Sequence, residues 1–200
     1  MSYSILRDIR LKFIFAVVAA TVFASGSAGA QLGEGKQERL DIFFQQTVVG
    51  GLPAFFGGLN AQSLILQKSG ISGGFNFNVT VFGATSVDQY STNFPPLAPS
   101  EFKVSNQLKN ARLQKQDVPV DIVTCDLDFT NCVHTATTAD VDIVAVGEGA
   151  IFEEQFGPDL TCTIREGASA NGSIVLESGL NIFGENALSG GISNCRGVIE

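Results

Sequence analysis

The stretch VPVDIVTCDLDFTNCVHTATTADVDIVAV, residues 118–146, decides the fold class of this chain. Two segments rich in β-branched residues, 118–124 and 133–146, flank an octet that contains two aspartates, an asparagine and a cysteine at each end. Strand-forming residues on both sides of a cluster of turn-forming residues are typical of a β-hairpin. We therefore predict that residues 118–146 form two antiparallel strands joined by a short turn.

The two cysteines of this octet predict the register of the hairpin. If Cys125 faces Cys132, paired positions sum to 257, and Val123 lies opposite His134. A disulfide at this place closes a short loop, so we expect it to fix the register of the strands at the hairpin end.

The same strand pattern continues through most of the chain. GFNFNVTVFG, residues 74–83, places Phe75, Phe77, Val79 and Val81 on one face, as a half-buried strand does. Further strand-like segments lie at 39–49, 62–67, 109–116, 161–166, 172–177 and 180–183. The apolar spacing in 39–49 also fits a helix, but its β-branched and aromatic residues favour a strand. Short strands separated by turn residues predict an all-β protein, and we expect a two-sheet antiparallel β-sandwich, Ig-like or jelly-roll-like.

Three segments lack a clear strand pattern. Residues 31–39 are polar and contain glycine, which predicts a flexible leader. Residues 50–60 have four glycines and a proline around Phe55 and Phe56, which predicts a loop carrying an apolar plug. Residues 91–102 contain three prolines and are expected to form a long extended connection.

The N-terminal segment has the pattern of an export signal. Three basic residues precede the apolar run 13–24, and small residues follow it up to Ala30. The apolar run is too short to cross a bilayer, which takes about 20 residues. We expect a cleaved signal peptide over residues 1–30, a single domain over 40–200 without a membrane span, and a secreted, periplasmic or cell-envelope location.

The charge of the chain disfavours one class of partner. Removing three basic residues and one acidic residue with the signal peptide changes the formal charge from −8 to −10. Nucleic-acid binding depends on clustered lysine and arginine, so we expect no nucleic-acid partner. The charge selects no other partner, and we predict an extracellular partner of unknown identity, with the oligomeric state left open.

The four cysteines all follow the signal peptide. An even number in an oxidising compartment predicts two disulfides, although four cysteines allow three connectivities. We favour Cys125–Cys132 and Cys162–Cys195.

A metal site in the octet has only partial support. Read as an EF-hand loop, the sequence has Asn131 where glycine is required and Thr137 where the bidentate glutamate is required. A looser calcium site that uses Asp126 and Asp128 stays an alternative, because carboxylates are calcium ligands. His134 and the cysteines do not have zinc-ligand spacing. We predict no metal site and no cofactor.

Catalytic residues are equally sparse. His134 is the only histidine, and no serine lies in a strand–turn–helix elbow, because the one G-x-S-x-G match, GISGG at residues 70–74, leads into a predicted strand. In a strand, Glu153 and Glu154 point to opposite faces and cannot line one site. Asp140 and Asp142 share a face, but they alternate with apolar residues as solvent-facing side chains do. We therefore identify no catalytic residue.

Several of these segments together resemble a family of proteins. NVTVFG, residues 78–83, TTADVDIVAVGEG, residues 137–149, and the strands that carry Cys162 and Cys195 resemble a loose group of small exported bacterial β-sandwich proteins without assigned function. The likeness covers residues 74–195. This chain differs from the group, which more often has tryptophan at the position of Val144 or Val146 and lacks the CDLDFTNC hairpin. The resemblance implies a secreted sandwich and no site residues.

These observations predict a secreted, non-catalytic structural or binding module. One alternative is a surface adhesin or self-assembling protein that uses Phe55 and Phe56. Another is an extracellular hydrolase that uses surface carboxylates, with Asp126, Asp128, Asp140 and Asp142 as the candidates.

Overall fold

The computed structural model describes residues 33–47, 53–66, 70–183 and 187–199, all of which lie in one compact unit. These residues form antiparallel strands and a single 3-10 turn, Asn106–Leu108, so the prediction of an all-β protein is confirmed. The described residues contain no helix long and apolar enough to span a membrane. The strands are β1 Gly33–Thr47, β2 Pro53–Leu66, β3 Gly70–Phe82, β4 Ser86–Ser91, β5 Phe102–Val104, β6 Asn110–Asp126, β7 Val133–Gly147, β8 Ile151–Phe156, β9 Leu160–Glu166, β10 Ala168–Leu176 and β11 Ala187–Ile199.

The strands belong to one hydrogen-bonded sheet. Its order is β10-β7-β6-β4-β3-β2-β1-β11-β9-β8, and β5 pairs with β6 beside β4. The sequence pattern predicted two sheets, whereas the described strands form one. The reason is the length of β6, which pairs with β7 along one side and with both β5 and β4 along the other. A strand that long carries the hydrogen-bond ladder across the middle of the molecule without a break.

The buried side chains form a single core. Ile174 of β10 and Ile192 of β11 are fully buried in the same apolar cluster, together with Leu113 of β6 and Phe75 of β3. Because β10 and β11 are far apart in the strand order, the sheet folds over on itself to bring them into one core. We call the face that carries these residues the inner face. Each fully buried side chain of this size contributes about 1.5–3 kcal/mol relative to exposure.

The predicted strand at 74–83 is confirmed within β3. Phe75, Phe77 and Val79 are buried, as the alternation predicts. The segment 91–102 is the extended connection between β4 and β5, also as predicted.

The strand β1 starts earlier than the sequence pattern predicts. Residues 31–39 were expected to be a flexible leader, of which 31 and 32 lie outside the described ranges, and the domain was expected to begin at residue 40. In the structure, Glu34 pairs with Val198 of β11, and Gly35 pairs with Leu66 of β2. Glu38 of this segment is buried on the inner side of the sheet, whereas Gln37 and Arg39 lie on the outer side, so their polarity does not indicate a loop. The predicted strand at 39–49 is confirmed up to residue 47, and residues 48 and 49 lie outside the described ranges.

The strand β2 replaces most of the predicted loop at 50–60. Residues 55–60 pair with β1 on one side and with β3 on the other. At Gly57 a Cβ would lie 2.6 Å from the carbonyl oxygen of Asn78 and 3.0 Å from the ring of Phe44. The glycine therefore permits close packing inside a strand, which is a second role of glycine besides turn formation.

Both expected disulfides are present, and each joins neighbouring strands. In the β6–β7 hairpin the register pairs Val123 with His134, as predicted, and Cys125 is bonded to Cys132 with their Cα atoms 4.1 Å apart. The second disulfide joins Cys162 of β9 to the residue directly opposite on β11, with a Cα–Cα distance of 3.9 Å. It fastens the β8–β9 hairpin to the rest of the sheet.

Candidate functional site

The inner face changes from apolar to polar toward one end of the sheet. On β11 the buried Ile192 is followed on the same face by Asn194 and Arg196. On β1 the buried Leu40 is preceded on the same face by Glu38. Residues two apart in a strand share a face, so the apolar core and this polar end are parts of one surface.

A row of polar side chains crosses five strands at this end. Cross-strand pairing places Glu153, Thr163, Asn194, Glu38 and Ser63 next to one another on β8, β9, β11, β1 and β2. We call this set the polar row. Directly opposed residues of antiparallel strands point to the same face. The row therefore lines the inner side of the sheet from the edge strand β8 inward.

Two atoms of the polar row have unused hydrogen-bonding capacity. Asn194 Oδ1 and Ser63 Oγ are buried and have no hydrogen-bond partner among the described residues. A buried polar atom left in this state costs about 1–3 kcal/mol. Such groups in folded proteins are normally satisfied by water or by a ligand.

A cavity of about 500 Å³ lies over one end of the polar row. Its floor consists of Glu153 from β8, Thr161 and Thr163 from β9, and Asn194 and Arg196 from β11. Its roof is the 3-10 turn Asn106–Leu108. We call this cavity the polar cleft. Its volume lies within the range of small-ligand sites, about 300–1,000 Å³.

The roof of the polar cleft has an unusual backbone. Gln107 and Leu108 have φ values of 67° and 53°, which side-chain-bearing residues rarely adopt. Conformations of this kind cost about 1–3 kcal/mol each and persist only where surrounding structure holds them. Arg165 supplies part of that support, because its guanidinium donates hydrogen bonds to the carbonyl oxygens of Gln107, at 3.3 Å, and Gly149, at 3.2 Å. A Cβ at residue 147 would lie 2.3 Å from Arg165 Cδ, so Gly147 leaves room for this side chain.

The cleft has the chemistry of a polar binding site. Hydroxyl and amide groups supply donors and acceptors, Arg196 supplies a positive charge, and Glu153 supplies a negative charge. Neither a second carboxylate nor a histidine or cysteine lines it, so the lining offers no paired acid and base. The arrangement is suited to holding a ligand by hydrogen bonds and one ion pair of either sign.

The aspartates of the CDLDFTNC loop stabilise the loop itself. Asn131 Nδ2 donates a 2.7 Å hydrogen bond to Asp126, and Thr130 Oγ1 donates a 2.7 Å hydrogen bond to Asp128. The hydrogen bond from the Thr130 side chain lowers the pKa of Asp128. Within the described part of the chain, no three His, Cys, Asp or Glu side chains are grouped so as to hold a metal ion.

The other candidate carboxylates also have structural contacts. Asp140 accepts a 3.1 Å hydrogen bond from the backbone N–H of Asp117, which has a positive φ at the irregularity in β6. Asp142 lies 3.7 Å from the guanidinium of Arg112 on the exposed side of β6 and β7. Neither they nor the two aspartates of the loop line the polar cleft, so the structure does not bring the four together there.

Of the two candidate adhesive residues, Phe56 lies on the outer face of β2. Phe56 is 48% exposed, and its ring stacks on that of Phe82 with a centroid distance of 6.1 Å. Phe43 is also exposed and lies over Gly58 of the neighbouring strand. The side chain of Phe55 lies outside the described part of the structure. The predicted apolar plug is therefore wrong for Phe56, whose ring is exposed.

The residues of the polar cleft were not predicted from the sequence. One signal for them exists in TCTIRE, where Thr161, Thr163 and Arg165 alternate with Cys162 and Ile164. The usual interpretation assigns the polar set to solvent. Here the polar set faces inward, because β9 lies where the inner face has become polar.

No family model matches the chain, and comparison with curated proteins and with solved structures finds no match. The resemblance to exported bacterial β-sandwich proteins therefore stays a prediction, and functional inference rests on the geometry of the site.

Proposed function

We propose that this protein is a secreted, non-catalytic binding module that holds a polar ligand in the polar cleft. The observation that carries the proposal is the unsatisfied hydrogen-bonding capacity of the polar row. Asn194 Oδ1 and Ser63 Oγ lack partners among the described residues, and Asn194 itself lines the cleft. A row of this kind lowers the stability of the free protein and gains hydrogen bonds when a ligand or ordered water fills the cleft.

Export is supported by two independent features. The first 30 residues have the charged, apolar and small-residue order of a signal peptide. The two disulfides fit an oxidising compartment, such as the cell exterior or the periplasm. In this proposal the curled sheet serves as the rigid, sandwich-like scaffold that the strand pattern predicted, and the disulfides fasten its outer hairpins.

A binding role fits the cleft better than hydrolysis does. Hydrolysis by carboxylates needs an acid and a base placed on either side of the scissile bond. Glu153 is the only carboxylate among the lining residues of the cleft. Glu153 and Arg196 line the same floor on strands separated by β9, so the cleft offers one charge of each sign for recognition of a polar ligand.

The proposal is tested by screening a fragment library of amino acids, sugars and nucleotides with two-dimensional NMR of the isotope-labelled mature protein. We expect fragments to shift the amide signals of Thr163, Asn194 and Gln107, and Arg196→Ala to weaken those fragments about tenfold or more, as loss of a charged hydrogen bond does. Arg112→Ala is the matched control, because Arg112 is exposed on β6 away from the cleft. Shifts scattered over the surface, or equal in both variants, contradict a site in the cleft. Chemical conversion of any fragment contradicts a non-catalytic role.

A further inference from the structure

The strand β8 is an open edge of the sheet. It ends the strand order, and no strand among the described residues pairs with its second side. All six of its residues, Ile151–Phe156, are exposed. An edge strand with free backbone groups is a template for pairing with another chain.

The direction of the free backbone groups follows from one hydrogen bond. The N–H of Glu166 donates to the carbonyl oxygen of Ala150 at 3.2 Å, which makes residues 150 and 166 a hydrogen-bonded pair. Such pairs alternate along an antiparallel ladder. The backbone groups of 152, 154 and 156 therefore point to β9, and those of Ile151, Glu153 and Gln155 point away from the sheet.

The two faces of β8 adjoin two different surfaces. Glu153 faces inward and lines the polar cleft. Phe152 and Phe156 face outward, and Phe156 lines a groove of about 380 Å³ whose floor includes the Cys162–Cys195 disulfide. Glu154 lies between the two phenylalanines on this outer side. A strand added to β8 would thus place alternate side chains over the cleft and over an apolar, acidic surface.

We propose that the ligand of this protein is an extended polypeptide segment that adds a strand to β8, with apolar side chains beside Phe152 and Phe156 and a basic side chain opposite Glu154. The intervening side chains of the segment point into the polar cleft beside Glu153. This inference rests on the proposed function, since it names the class of ligand that the cleft holds. Main-chain pairing supplies affinity in this mode of recognition, and the alternate side chains supply specificity.

Charge complementarity selects this occupant over a second copy of the chain. The free backbone groups belong to Ile151, Glu153 and Gln155, and this limits how two copies can pair antiparallel along most of β8. In one register Glu153 lies opposite Glu153 of the other copy, and in the other register Glu154 lies opposite Glu154 of the other copy. Like charges directly opposite each other destabilise a strand pair. A segment with lysine or arginine at that position turns the same repulsion into attraction.

Apart from its two glutamates, β8 lacks the features that protect an edge against pairing. Protected edges are short, carry charged side chains or proline, are bulged, or are covered. β8 pairs with β9 without a register shift and has neither lysine nor proline. Half of its residues are exposed large apolar side chains, Ile151, Phe152 and Phe156.

A capped heptapeptide that alternates threonine and valine, with lysine at its centre, tests the inference with the mature, disulfide-bonded protein. In NMR titrations we expect it to shift the amides of β8 and of the cleft together. The same peptide with central glutamate is expected to bind about tenfold more weakly, because the cross-strand pair changes from attractive to repulsive. Methylation of the backbone nitrogens of the two threonines beside the lysine is expected to abolish binding, since these N–H groups pair with β8.

Two protein variants complete the design. Gln155→Pro removes one outward N–H and leaves the ladder with β9 intact, so we expect binding to weaken about fivefold. Glu154→Lys changes no backbone group, and we expect it to reverse the preference, so that the glutamate peptide binds more tightly. This reversal keeps the test decisive even if Gln155→Pro fails to fold.

The outcomes separate the two proposals. Fragments that bind the cleft while neither peptide shifts β8 overturn the peptide inference and leave the proposed function intact. The peptide could instead bind β8 without shifting the amide signals of cleft residues and with an affinity that Arg196→Ala leaves unchanged. That result would contradict the cleft as the binding site of the proposed function. If sedimentation shows a dimer that Gln155→Pro dissociates, the β8 edge pairs with a second copy of the chain, and the inference is overturned.

Discussion

The two edges of the sheet differ in how their backbone groups are satisfied. At the β10 edge, the N–H of Ile174 donates to the side chain of Asn181 at 3.0 Å, and the N–H of Leu176 donates to the carbonyl of Leu180 at 2.9 Å. Ile174 is fully buried. At the β8 edge every residue is exposed and the second side has no partner strand among the described residues. Residues 180 and 181 therefore cover part of the β10 edge, whereas the β8 edge has no such cover among the described residues.

The cause of this difference lies in the connections that follow the two strands. After β10 the chain turns back, and residues 180–183 run beside it, with the Asn181 side chain acting as a substitute for a strand carbonyl. After β8 the turn 157–159 leads directly into β9, so no chain returns along the free side. An edge is covered when the local sequence folds back over it, and the bare edge is the one that adjoins the polar cleft.

The largest effect is expected from removing the disulfide that fastens the β8 edge. The double substitution Cys162→Ser, Cys195→Ser opens a loop with a sequence separation of 33, and chain entropy gives a loss of about 3.7 kcal/mol in the free energy of unfolding. The matched control is Cys125→Ser, Cys132→Ser, which opens a separation of 7 and should cost about 2.4 kcal/mol. Urea denaturation followed by circular dichroism measures both. A larger loss for the hairpin pair contradicts this order.

A truncation at each edge compares their packing directly. Ile174→Ala removes a fully buried side chain of the covered edge, so we expect a loss of about 2–5 kcal/mol. Ile151→Ala makes the same change at the open edge, where the side chain is 44% exposed, and should stay within about 0.5 kcal/mol. Equal losses in denaturant unfolding would show that β8 is buried in solution.

The side chain that covers the β10 edge is expected to have a smaller effect. Asn181 Oδ1 accepts hydrogen bonds from the backbone N–H groups of Ile174, at 3.0 Å, and Phe183, at 3.1 Å. Asn181→Ala leaves both donors without that acceptor, and we expect a loss of about 1–3 kcal/mol. Hydrogen exchange should show faster exchange at the amide of Ile174 and no change in β8. Unchanged protection at that amide argues against this cover.

The smallest expected effect is on the pH dependence of stability, and it comes from Glu101, which lies on neither edge strand. Burial raises the pKa of Glu101, but hydrogen bonds from the Ala98 N–H and from Lys115, together with the lysine charge, outweigh it and lower the pKa below its usual value of 4.5. A lowered folded-state pKa gives stability that is present above the usual pKa and is lost as pH falls through the folded value. We expect well under 1 kcal/mol, because the carboxyl is partly exposed.

Thermal unfolding between pH 7 and pH 2.5 checks this contribution. Glu101→Gln should flatten the part of the stability curve below pH 4.5. Identical slopes for the native protein and for Glu101→Gln would assign the acid sensitivity to other carboxyls.

Local patterns explain what was predictable about the fold. The β6–β7 hairpin, the pairing of Val123 with His134 and the alternation in β3 depend on residues close in sequence, where side-chain spacing limits the choices. The candidate site was not predictable in this way. Thr163, Asn194 and Glu38 are adjacent only because β9, β11 and β1 are neighbours, and each looks like an ordinary surface residue in its own segment.

The two segments that the sequence pattern assigned wrongly show the same difference between local and long-range information. Polar residues in 33–39 and the glycines of β2 were interpreted from their usual local preferences, as leader and loop. Their real environments come from distant strands: an inward-facing polar surface for Glu38, and the approach of Asn78 and Phe44 for Gly57.

By itself, the sequence determined the all-β class, the strand pair around CDLDFTNC and the number of disulfides, because strand alternation, turn chemistry and cysteine count act within short segments. Only the tertiary structure decided the single curled sheet, the polar cleft at its inner end and the open edge at β8. These features depend on the order in which strands lie side by side, and that order results from long-range packing of the whole core.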